Sequence, residues 1–82
     1  DVAILSVGGY EVDFVCDFTQ KPKYFQVCYS LNGESTLNRE VRPLSLIEDN
    51  YPKTIITYER YPLDDIDGIR VVNVIDWLLE KE

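Results

Sequence analysis

The sequence contains no histidine and no methionine, and only two cysteines, Cys16 and Cys28. Two thiolates without histidine or further cysteine are an incomplete ligand set for structural zinc. One disulfide is conceivable, but nothing in the sequence points to an oxidising compartment. Both cysteines read instead as small half-buried hydrophobes. The lack of methionine, with an opening Asp1-Val2-Ala3-Ile4-Leu5 that reads as the middle of an element, predicts a processed or excised chain. No apolar run approaches the roughly 18 residues of a membrane span, and no basic segment leads into an apolar core as in a signal peptide. A cytoplasmic protein with no membrane partner is the expectation. Basic residues are scarce, eight Lys and Arg against fifteen Asp and Glu, for a net charge of −7. Polyanionic nucleic acid is usually met by clustered Lys and Arg. Autonomous nucleic-acid binding is therefore disfavoured.

What is present describes one small globular domain. The chain has 82 residues, 45% of them hydrophobic and 28% charged. A domain of this size leaves roughly 40% of its extended surface exposed. No repeat, linker or low-complexity stretch divides residues 1–82.

Val2 to Leu5 is a candidate first strand, closed by a turn at Gly8-Gly9. Tyr10 to Asp17 alternates with period two, Val12, Phe14 and Cys16 on one face and Glu11, Asp13, Val15 and Asp17 on the other. Tyr24 to Ser30 is a third strand, joined to the second by a short loop and so antiparallel to it. Leu37, Val41, Leu44 and Ile47 recur at helical spacing, with Arg39, Glu40 and Glu48 outside. Ser35 or Thr36 is the expected N-cap, and Pro43 predicts a kink or break in a helix of about Ser35 to Glu48. Thr54 to Tyr58 reads as a buried strand, and Pro62 to Gly68 as an acidic loop with an Asp67-Gly68 turn. Ile69 to Val72 reads as a last strand. Asn73 would cap a final helix, with Asp76 near its third position and Val74, Trp77 and Leu78 buried. The predicted order is β-β-β-α-β-β-α. It gives an α/β (α+β) fold: a small mixed sheet in which the helical crossover sets two strands parallel.

One constellation carries chemistry. If the loop sets Asp17 opposite Tyr24, then Asp13 faces Cys28 and Val15 faces Gln26. Glu11, Asp13, Gln26 and Cys28 then share one face. The bland alternative is that Glu11 and Asp13 are the solvated face of an amphipathic strand.

The layout resembles the restriction-endonuclease-like, PD-(D/E)XK superfamily. There an acidic residue on one strand and a (D/E)-X-K triplet on the next bind a divalent metal. Carboxylates hold Mg²⁺, the metal activates water, and the lysine adds positive charge. More narrowly, the chain is similar to the C-terminal domain of unknown function of prokaryotic AAA+-type ATPases. The similarity lies in Gly9-Tyr10-Glu11-Val12-Asp13-Phe14-Val15, Phe25-Gln26-Val27-Cys28-Tyr29-Ser30-Leu31, Arg39-Glu40-Val41-Arg42-Pro43-Leu44, Asp49-Asn50-Tyr51-Pro52-Lys53, and Gly68-Ile69 with Ile75-Asp76-Trp77-Leu78-Leu79. The resemblance implies a restriction-endonuclease-like core without its leading helix, cut from the C-terminus of a larger ATPase. ATP and Mg²⁺ would belong to the absent ATPase part, and this domain would carry no cofactor.

The departure from the pattern matters more. Asp13 fits the first acidic position, but the triplet reads Gln26-Val27-Cys28. A neutral amide replaces a carboxylate, and a mostly protonated thiol stands where a cation is expected. Asp13, with or without Glu11, would bind Mg²⁺ weakly. The expected product is a vestigial nuclease-like site of Asp13, Gln26, Cys28 and Glu11 with no active catalytic residue.

Three functions follow. A structural or interaction module would contact the rest of the ATPase, a second copy or another protein. A nucleic-acid-binding accessory and a residual metal-dependent nuclease are the alternatives. Arg39 and Arg42, three residues apart, are possible partner contacts, although such residues more often form a solvated face. Tyr51, Tyr58 and Tyr61 read as packing at the core edge, and Trp77 as the anchor of the last helix. Asp64, Asp65 and Asp67 lack the ligand count of a calcium loop and read as a solvated turn. Strand parity sends Cys16 and Cys28 to opposite faces, which excludes a disulfide between them.

Overall fold

A computed structural model describes residues 2–7, 9–16 and 20–80. The elements are β1 (Val2–Val7), β2 (Tyr10–Cys16), β3 (Lys23–Cys28), α1 (Glu34–Ser45), β4 (Lys53–Thr57), β5 (Asp65–Ile66), β6 (Ile69–Asn73) and α2 (Val74–Glu80). They form one mixed sheet in the order β1-β2-β3-β4-β6-β5. β1, β2 and β3 are an antiparallel meander. The α1 crossover then sets β4 parallel to β3, and β6 lies parallel to β4. This is the mixed α/β sheet that the sequence predicts, with one more strand. The acidic 62–68 loop contributes β5, which pairs antiparallel with β6. Its turn needs two left-handed residues in a row, and Asp67 and Gly68 supply them at φ 51° and 87°,.

Each face has its own core. On the α1 side, Val15, Tyr24, Leu44, Ile55, Ile69 and Val71 are buried, with Leu37 and Val41 of α1 packed against them. On the α2 side, Phe25, Ile56 and Val72 are covered by Phe14, Val27, Val74 and Trp77. Trp77 meets the Phe25 ring edge-on at 6.0 Å, the anchor expected of it. Cys28 packs with the α1 side and Cys16 with the α2 side, and both thiols are free.

Four local expectations are corrected. The alternation of β2 breaks, because Ala3 pairs with Val15 but Leu5 pairs with Val12. Asp13 and Phe14 therefore bulge opposite Ile4, and Val12 joins Val15 rather than Phe14 and Cys16,. Secondly, α1 starts at Glu34 behind Gly33, at φ 92° with no side-chain cap, so Ser35 and Thr36 fall inside the first turn. The Gly33 carbonyl opens the helix by accepting the Leu37 amide at 2.9 Å. Thirdly, α1 runs through Pro43 and stops two residues later, at Ser45. A proline in the last turn removes a single hydrogen bond, so the helix ends early rather than breaking in the middle. Finally, Leu78 is 51% exposed and not part of the buried face of α2. The cap of α2 is as predicted: the Ile75 amide donates to Asn73 Oδ1 at 2.9 Å. Asp76 instead pairs with Arg60 at 2.9 Å. Among the described residues, no helix is long and apolar enough to cross a membrane.

Candidate functional site

The site is set by the register of β2 on β3. Val15 faces Tyr24 and Phe14 faces Phe25, so the ladder runs on to set Asp13 against Gln26. The expected pairs, Asp13 with Cys28 and Val15 with Gln26, are thus displaced by two residues. A two-residue shift preserves side-chain parity, so Asp13 still meets the Gln26-Cys28 side of β3. The presumed starting contact of Asp17 lies outside the described residues.

At Asp13 side chains take over from the backbone ladder. The Asp13 amide donates to Gln26 Oε1 at 3.1 Å, and the Val27 amide donates to Asp13 Oδ2 at 2.8 Å. Gln26 is buried, 7% exposed, and its Nε2 donates onward to Glu40 Oε1 at 3.3 Å.

Glu40 is therefore not on the outer face of α1, as the sequence reading had it. Its side chain is only 15% exposed, and Arg39 Nε approaches it from solvent at 3.6 Å. The signal was present, since Glu40 follows Leu37 by three residues and precedes Leu44 by four. It lies on the same stripe as half-buried Leu37 and buried Leu44,. Cys28 completes the group. Burial pushes its thiol up to about 11, and the Glu40 and Asp13 carboxylates add to the rise. A thiol held this way is protonated at neutral pH and is a poor nucleophile or metal ligand.

Glu11 does not belong to this group. It is exposed and pairs across to Ser6 of β1. With Val12 turned to the α1 side by the bulge, strand alternation sends Glu11 to the other. Arg39 and Arg42 are both exposed on α1, and the guanidinium of Arg39 is the one paired with Glu40.

These residues fit a divalent metal badly. One Asp13 oxygen is engaged by a backbone amide, one Glu40 oxygen by Gln26, and Cys28 keeps its proton. Hard oxygen-liganded cations want several free carboxylate or carbonyl oxygens converging on one point. Among the described residues no group of three or more His, Cys, Asp and Glu is arranged to hold a metal ion.

The sequence reading missed a second polar cluster, at the amino-terminal end of β4. Asp49 Oδ2 accepts the Tyr24 hydroxyl at 2.6 Å, and its Oδ1 accepts Lys53 Nζ at 2.9 Å and the Tyr51 amide at 2.9 Å. Lys53 Nζ also donates to the carbonyls of Asp49 and Tyr51, and lies 5.4 Å from the Tyr24 ring centre. Burial works against ionisation of Asp49. The bonds from Tyr24, Lys53 and the Tyr51 amide outweigh it and hold the carboxyl below its usual range. Burial and the same carboxylate push Tyr24 up to about 12. Every strong donor and acceptor here is satisfied internally, so the cluster ties the α1–β4 connection to β3. The four-residue spacing of Asp49 and Lys53 was visible, but not that Tyr24 would come between them from another strand.

An open depression of about 880 Å³ lies beside the carboxyl ends of β4 and β6, lined in part by Thr57, Arg60, Tyr61, Arg70, Asn73 and Asp76. Its two arginines are matched by acids, Arg60 by Asp76 and Arg70 by Glu80.

No family model matches the chain. An uncharacterized protein of Haemophilus influenzae is 40% identical over 79 residues, which cover 96% of this chain and 19% of that protein. The chain thus spans about a fifth of the length of the relative it matches. No solved structure matches it.

Proposed function

We propose that this chain is a non-catalytic interaction module with a restriction-endonuclease-like core, serving as the C-terminal domain of a larger cytoplasmic AAA+-type ATPase. One observation carries the loss of catalysis: the Asp13 carboxylate accepts the Val27 amide. The residue that would anchor a metal instead bonds β2 to β3. The amide of Gln26 and the protonated thiol of Cys28 supply neither the second carboxylate nor the cation of a phosphodiester-cutting pocket. The net charge of −7 also works against a nucleic-acid accessory role,. The tie to an ATPase rests on the sequence resemblance, and a Gly-Lys-Thr phosphate loop encoded upstream of Asp1 is expected.

Calorimetric titration with Mg²⁺ and with Mn²⁺, wild type against Asp13→Ala, tests the site. The two proteins should give the same heats. Binding that disappears with Asp13 would refute the loss of the metal site and restore the nuclease reading.

A further inference from the structure

We propose that α2 is a strap that opens and closes over the sheet as one unit while the strands beneath it stay paired, held shut in part by Arg60 and Arg70. Closed, it shields Phe25, Ile56 and Val72, which are 7%, 2% and 8% exposed beneath Val74 and Trp77. Opened, the sheet presents those three with Phe14 and Val27 as an apolar surface that the closed state withholds. The inference goes beyond the interaction-module reading, because it concerns the chain alone, whatever its partner.

The two helices are seated unequally. Helix α1 drives Leu44 into its core at 0% exposure. Helix α2 has no buried residue at all. Trp77, its largest side chain, is only half-buried against the edge of the Phe25 ring. Two open depressions reach the helix, one lined in part by Asp76 and Glu80, the other by Trp77 and Glu80. With seven residues, α2 is well short of the roughly 12 to 15 that an isolated helix needs in water,. Its helical state therefore depends on its docking, and the two are lost together. An element joined to the sheet by so little buried surface opens before the sheet does.

The groups that close the strap belong to the sheet side. Arg60, just past β4, donates to Asp76 at 2.9 Å, and Arg70 of β6 pairs with Glu80. Both pairs are exposed, so each contributes little and yields readily. The hinge is Asn73, the last residue of β6. Its Nδ2 donates to the Tyr58 carbonyl at 3.1 Å, while its Oδ1 accepts the Ile75 amide at 2.9 Å. The cap is thus fastened to the chain leaving β4. It stays in place when the helix lifts, and offers the first turn a fixed starting point on its return.

Backbone hydrogen exchange of the 82-residue chain, read by NMR, tests this. The Ile75, Leu78 and Leu79 amides should be protected at least about a hundredfold less than those of Ile55 and Ile56 in β4. The three should agree within about threefold, as one opening requires. Asp13→Ala removes a bond that survives strap opening, so it should lower protection in β4 about fivefold and leave α2 unchanged. The double variant Arg60→Gln/Arg70→Gln leaves the helix sequence intact and should lower protection in α2 about three- to tenfold. Protection persisting at Ile55 and Ile56 shows that each variant is folded. Amides of α2 as slow as those of β4, or slowed equally less by Asp13→Ala, overturn the proposal, because the helix then opens only with the whole fold. Protection that falls steadily from Ile75 to Leu79 also overturns it, since that is fraying. So does a double arginine variant with unchanged α2 exchange.

Discussion

Asp13 and Gln26 hold each other in place across β2 and β3. Gln26 Oε1 accepts the Asp13 amide at 3.1 Å, and the Asp13 carboxylate accepts the next amide along β3, that of Val27, at 2.8 Å. Two side chains thereby extend the pairing of β2 with β3 beyond Phe14 and Phe25. A carboxylate used this way faces the partner strand, whereas a metal ligand must face the cleft. The same pair of positions that would define a nuclease site here defines the strand pairing.

Asp13→Ala should lower stability by about 1 kcal/mol, the usual worth of such a bond at a partly solvated position. Asp13→Asn keeps an acceptor of the same shape and should lose less. Combined with Gln26→Ala, the losses should add to less than their sum, because each substitution already loosens the splice. Urea unfolding of the four proteins of this cycle checks the coupling. Strict additivity would mean that the two side chains act independently.

Gln26→Glu tests whether the neutral amide is what keeps cations out. Glutamate at this position would set a third carboxylate beside Asp13 and Glu40 and forfeit the donor to Glu40 Oε1. At neutral pH in chelator the variant should be about 1 to 2 kcal/mol less stable than wild type, from burial of the new carboxylate and its repulsion by its two neighbours,. Millimolar Mg²⁺ should restore part of that loss, since a ligand binding only the folded state stabilises it. Wild-type stability should not respond to Mg²⁺. A variant equally indifferent would show that the three carboxylates do not converge on one point.

Much of this architecture is legible in the sequence, because hydrophobic periodicity fixes faces well. The meander, the α1 crossover, the Asn73 cap and the opposite facing of Cys16 and Cys28 all follow from period and turn residues. Register is less legible. The faces of β2 and β3 do not distinguish Asp13 opposite Cys28 from Asp13 opposite Gln26, since both obey parity. The bulge that moves Val12 and expels Glu11 from the site leaves no composition signal. Glu40 was overlooked for a different reason. A charged residue on an apolar stripe is read as solvated unless its buried partner, Gln26, is known.

The Asp49 cluster predicts two pH limbs. The Asp49 carboxyl is held below its unfolded range, so its contribution is complete above about pH 4 and is lost as pH falls through the folded value,. Tyr24 is raised to about 12, so its contribution is complete below about pH 10 and is lost as pH rises toward 12,. Asp49→Asn should flatten the acid limb and also shrink the alkaline one, because the carboxylate helps keep Tyr24 protonated. Tyr24→Phe should remove its own alkaline limb outright. Urea midpoints from pH 3 to pH 11 separate the two. An acid limb unchanged in Asp49→Asn would assign it to other carboxylates.

Thr57 offers a prediction of opposite sign. It is 1% exposed on β4, between Cys28 of β3 and Asn73 of β6, and its hydroxyl has no hydrogen-bond partner among the described residues. A buried hydroxyl left unbonded forfeits its hydration and gains nothing in return. Thr57→Val keeps the branched shape and removes the polar atom, so it should stabilise the fold by about 1 kcal/mol. Thr57→Ala removes the methyl group as well and opens a small cavity, which should cost about as much or more. The contrast matters because shape alone would rank threonine and valine equal. If valine lowers the urea midpoint instead, the hydroxyl is engaged in the folded protein, and the open depression beside β4 and β6 is where its partner should be sought.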